Sequence, residues 1–93
     1  MSDEQIDELI VQTLDGAIAM IPAYMDEVEK SKSDLKVKDA KEFVYGMIMG
    51  MALGMASAAV AALRQNMPSE EEQMKIRDMV YSKIPLVRER IFG

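Results

Sequence analysis

Apolar residues recur at helical spacing along the first third of the chain. Ile10, Leu14, Ala17, Ile21, Tyr24 and Val28 follow one another at intervals of four and three, and Ile6, Val11, Ile18 and Met25 widen the stripe. Asp7, Asp15, Asp26 and Glu29 fall on the opposite face. The pattern predicts an amphipathic helix over about residues 3–31. Ser2 with Gln5 matches a capping box, in which each side chain accepts a bond from a free backbone amide of the first turn. Asp3, Glu4, Asp7 and Glu8 then sit where the helix dipole favours negative charge. Pro22 lies inside the stripe and has no N–H to donate. A kink is expected there, because the periodicity continues past it, with a break into two shorter helices as the alternative.

The polar run from Lys30 to Lys38 reads as a solvated connection. Asp39 with Glu42 makes a second capping-box pattern and predicts a helix over about 39–65. Asn66 suits a left-handed helix end, and Met67-Pro68 stops any continuation. Ser69 followed by Glu70, Glu71 and Glu72 is the clearest helix start in the chain. It predicts a third helix over about 70–91 with Ile76, Val80, Ile84, Val87 and Ile91 on one face, Met79 beside them, and Pro85 as a kink. Arg88 and Arg90 close that helix where positive charge suits the dipole.

The central helix differs in kind from its neighbours. From Phe43 to Leu63 it carries no charge, so something apolar has to surround it. Gly46, Gly50 and Gly54 recur every four residues, and Ala58 and Ala62 extend them into one side-chain-poor strip. Three glycines inside a helix cost about 2.5–3 kcal/mol relative to alanine. Close approach of another helix offsets such a loss, and an i, i+4 row favours a steep crossing of roughly −40° to −50°. Met47, Met51 and Met55 form a bulky row beside the strip. Short connections favour antiparallel neighbours. The expected architecture is therefore all-α, one domain over 1–93, a three-helix up-down-up unit with an apolar central helix. Three helices leave one side of that central helix uncovered, and monomers rarely expose a contiguous apolar patch of that kind. A second copy covers it most simply, so the expectation is a helical-bundle homodimer with an interface of Gly46, Gly50, Gly54, Ala58, Met47, Met51 and Met55.

Composition and charge narrow the function. The chain has 93 residues, 49% hydrophobic and 29% charged, with a net charge of −5. Residues 1–29 hold eight acids and no base, whereas residues 30–41 hold five lysines against Asp34 and Asp39. Nucleic-acid binding is disfavoured, since phosphate neutralisation needs a clustered basic surface. Cysteine, histidine and tryptophan are absent, which excludes disulfides, thiolate zinc sites and a thiol nucleophile. The missing cysteines and the acidic, polar first residues fit a cytoplasmic protein without a secretory signal. The acids fall on polar faces or at helix starts and no arginine falls on an apolar stripe, so an enzyme is not expected and no cofactor is implied.

Ten methionines invite two further readings. A copper site is disfavoured, because Met49 points away from Met47 and Met51 on a helix and no histidine or cysteine assists them. A Met-lined groove that takes an apolar small molecule or an amphipathic peptide is a genuine alternative. A second alternative is a single membrane span over 43–63, which meets the length and shows small-xxx-small spacing. Against it, about half of the segment is Gly, Ala or Ser, and insertion strips the flanking helices of the partner their stripes require. The reading favoured by the residues is a non-enzymatic protein acting through protein-protein contact.

Overall fold

The computed structural model describes residues 3–93, and among these the chain is all-α with no strand. Six helical segments follow one another: α1 (Asp3–Ala19), α2 (Ile21–Lys30), α3 (Lys32–Leu35), α4 (Ala40–Arg64), α5 (Glu70–Tyr81) and α6 (Ile84–Phe92). The capping box expected at Ser2 lies outside the described residues.

Both prolines break their helices rather than kink them. Pro22 and Pro85 stand at the first turns of α2 and α6, where a missing N–H does no harm. The residue two places before each proline, Met20 or Lys83, keeps right-handed dihedrals but drops into a tighter step. Met20 N–H donates to Ala17 O at 3.1 Å, and Lys83 N–H to Val80 O at 3.0 Å. The regular ladder is thus interrupted for one step while the chain keeps its direction of winding. That is why one apolar stripe runs through both segments.

Helix starts follow the caps. Asp39 accepts from Glu42 N–H at 3.1 Å at the head of α4. Ser69 and Glu72 form a complete capping box at α5: Glu72 N–H donates to Ser69 Oγ at 3.2 Å, and Ser69 N–H to Glu72 Oε1 at 2.8 Å. Two helix ends close through left-handed residues that are not glycine, Lys36 (φ 58°) and Gln65 (φ 57°). In each, the following N–H reaches back five residues: Val37 to Lys32 O at 3.0 Å, and Asn66 to Ala61 O at 3.2 Å. This is the Schellman arrangement, and it satisfies carbonyls that the helix leaves free. The left-handed residue is Gln65, one position before the Asn66 expected to adopt it.

The core is built around α4. Its buried residues Ala40, Val44, Ile48, Ala52, Ala56 and Val60 form a single i, i+4 row. The C-terminal half of that row packs with Ile6, Ile10, Leu14 and Ala17 of α1 and with Ile76 and Val80 of α5. The N-terminal half packs with Ile18, Ile21, Val28, Val87 and Ile91 from α1, α2 and α6. The proline breaks therefore fall near the boundary between two core blocks, and α4 runs through both. Among the described residues no polar or charged residue is buried. The molecule measures 44 × 25 × 19 Å, with α4 spanning about 37 Å at 1.5 Å per residue.

Candidate functional site

A helix whose buried residues form one i, i+4 row turns the row two positions away, about 200° around, to the far side. On α4 that far row is Gly46, Gly50, Gly54, Ala58 and Ala62, and all five are exposed. The spacing placed these residues in one strip, and the fold turns the whole strip outward. A Cβ built on Gly46, Gly50 or Gly54 meets no side chain and no backbone of another element within 4 Å. Among the described residues, nothing requires those three positions to be glycine.

The methionines divide. Met47 and Met51 are half-buried, and Met47 packs against the core block formed with α2 and α6. Met55 stands 46% exposed. The same row is completed at its ends by Phe43 (38% exposed) and Leu63 (43% exposed). These two lie outside the seven residues expected at the interface. The signal for them was a spacing of four along Phe43, Met47, Met51, Met55, Ala59 and Leu63, in which Ala59 is the one small member. Strip and row together make an apolar face about 30 Å long between Phe43 and Leu63. It carries no charge, and its floor is too poor in side chains to shield itself.

Both ends of the face are fixed by ion pairs within the chain. At the N-terminal end Arg88 of α6 donates to Glu42 Oε1 at 3.2 Å. The same guanidinium lies over the rings of Tyr45 at 4.7 Å and Phe92 at 4.4 Å. Its planar charge thus binds two aromatic faces and one carboxylate, and that carboxylate's hydrogen bond raises its pKa above the ordinary arginine value. At the C-terminal end Arg64 pairs with Glu72. The Ser69 backbone N–H holds the Glu72 carboxyl below its ordinary pKa, with the Ser69 hydroxyl and Arg64 acting in the same direction. Away from the face, Lys75 of α5 pairs with Asp7 of α1 at 2.6 Å, tying the two helices together.

Three of the surface hollows among the described residues are open to solvent. One is lined by Glu70, Gln73, Met74 and Arg77, a second by Glu4, Asp7, Glu8, Val11 and Gln12, and a third by Gln5, Glu8, Leu9, Gln12 and Leu63. Their walls come mainly from α1 and α5, and none of the three is lined by Met47, Met51 or Met55. Arg64, Arg77 and Arg90 are exposed, as their sequence positions implied, whereas Arg88 is half-buried in its aromatic clamp. Among the described residues α4 is the one helix long and apolar enough to cross a membrane. Comparisons with protein-family models, curated proteins and solved structures gave no match to the chain.

Proposed function

We propose that this chain is a non-enzymatic, cytoplasmic helical module that acts through protein-protein contact, as an up-down-up unit that pairs with a second copy. The interface is the outward face of α4: Gly46, Gly50, Gly54 and Ala58 as its floor, with Met51, Met55, Phe43 and Leu63 beside them and Met47 contributing from the core edge. One observation carries the reading. Three glycines at four-residue spacing give up about 2.5–3 kcal/mol of helix propensity, and no side chain or backbone of another described element comes near enough to make use of them. Close approach by an outside helix is what a side-chain-poor row permits. A two-fold axis presents the same row on both copies, so the surface is complementary to itself.

The test is light scattering behind size-exclusion chromatography, without detergent, on the wild type, Gly50→Leu and Glu71→Gln. The expected wild-type mass is twice the 10.4 kDa of one chain. Because a side chain at position 50 enters open space within the chain, Gly50→Leu is expected to keep its helical circular dichroism and to run as a monomer. Glu71→Gln is expected to stay dimeric. A monomeric wild type, or a Gly50→Leu protein that dimerises as tightly as the wild type, refutes the reading.

A second reading rests on the length and apolarity of α4, which suit a membrane span. Spanning requires α4 to leave Ile10, Leu14, Ile76 and Val87, which now pack against its buried row. It also requires α1, acidic from Asp3 to Asp15, to lie on a lipid surface that is itself often anionic. Recovery of the protein only in detergent favours this second reading over the first.

A further inference from the structure

The charge on this molecule is sorted along α4. Ile6 and Ile10 pack with Ala56 and Val60, so the start of α1 lies beside the C-terminal half of α4, and α5 begins at the same end. Residues 1–15 carry a net −5 and residues 64–78 a net −1. At the opposite end, α2 and α6 pack on the N-terminal half of α4, and α3 packs with α2. There residues 26–42 carry a net −1, with five lysines among them, and residues 83–93 carry a net +2. One end is strongly acidic and the other slightly basic. At the acidic end Glu8 lines one hollow together with Leu63, and at the other end the exposed charge in register with the strip, Glu42 four residues before Gly46, is paired with Arg88 of α6.

A two-fold dimer on this face has two orientations open to it. Parallel α4 helices bring the two acidic ends together, and antiparallel helices set each acidic end beside the partner's slightly basic one. Like charges facing each other oppose association, and opposite charges guide it and fix its register. Antiparallel helix dipoles act in the same direction, weakly. We infer that the proposed dimer is antiparallel, with its two-fold axis passing near Gly54, so that Gly46 of one copy lies beside position 62 of the other. This rests on the proposed pairing through α4 and adds its orientation.

The chain has no cysteine, so single substitutions give clean cross-linking sites. Gly46→Cys and Ala62→Cys both fall on the exposed strip, and a Cβ at position 46 meets nothing within the chain. In an antiparallel pair crossing near Gly54, position 46 of one copy is close to position 62 of the other. Like positions are separated by sixteen residues along the helices, about 24 Å. A short bismaleimide is therefore expected to link an equimolar mixture of the two variants at least tenfold more efficiently than either variant alone. Efficient linking of Ala62→Cys to itself, with none in the mixture beyond that background, overturns the orientation. Light scattering on each variant comes first: a dimer that cross-links in the parallel pattern refutes only the orientation, whereas monomers refute the pairing on which it rests. Salt provides a second readout. Screening from about 0.1 M to about 1 M shortens the Debye length from about 10 Å to about 3 Å. The antiparallel dimer is expected to loosen several-fold in Kd, and a tighter dimer at high salt overturns the inference.

Discussion

Asn66 is the better left-handed residue by type, yet Gln65 holds the left-handed position (φ 57°). The reason lies one residue further on. With Gln65 left-handed, Asn66 N–H reaches Ala61 O, and the Asn66 side chain accepts from Met67 N–H at 2.9 Å. Asparagine thus satisfies the backbone just outside the helix instead of ending it. A left-handed residue with a Cβ costs about 1–2 kcal/mol, a cost that glycine avoids while losing part of the gain to its freer unfolded state. Gln65→Gly is accordingly expected to stabilise the fold by about 0.5–1 kcal/mol in urea denaturation, and a loss of stability would show that the Gln65 side chain contributes more than its backbone strain. At this residue scale the identity of the glycine strip was legible in the sequence, because spacing decides which residues share a helical face. The one-residue placement of the helix end was not, because it depends on which carbonyl the next amide finds.

At the scale of elements, start signals were legible and the prolines less so. Asp39 and Ser69 cap where their side chains predicted, since an oxygen three residues before a free amide has few other partners. The stripe through Pro22 and Pro85 argued for kinks, but periodicity is preserved equally by a one-residue tightening that ends one helix and starts the next. The short α3 leaves no trace in the pattern, because four residues carry too little period to show. Ser69 and Glu72 also set a pH dependence. The folded pKa of Glu72 is lowered, so its contribution is fully present above the unfolded value of about 4.3. It is lost as pH falls through the folded value. Glutamine at the same position still accepts the Ser69 N–H but does not titrate. Glu72→Gln is expected to flatten the decline in stability below about pH 4.3 relative to wild type. Equal slopes for the two proteins would mean that other carboxylates govern the acid limb.

At the scale of the whole molecule, the two core blocks share one helix, and that helix has a side the chain leaves uncovered. The inward row of α4 was readable only in part from the sequence, because a stretch apolar all round gives no preferred face. The flanking stripes choose it: they pack on Val44, Ile48, Ala52, Ala56 and Val60, and the glycines then face out by default. A chain this short buries a modest share of its surface alone, so covering a face about 30 Å long adds substantially to its stability. If a second copy provides that cover, unfolding is linked to dissociation, and stability follows concentration. A tenfold rise in protein is about 1.4 kcal/mol per dimer, or about 0.7 kcal/mol per chain. For a domain of this size that corresponds to a rise in Tm of roughly 3–5 °C per decade of concentration. Gly50→Leu, whose larger side chain keeps the second helix away, is expected to melt at one temperature at every concentration. A wild-type Tm equally indifferent to concentration would leave α4 covered by something other than a second copy, and the three glycines would then need a different partner to explain them.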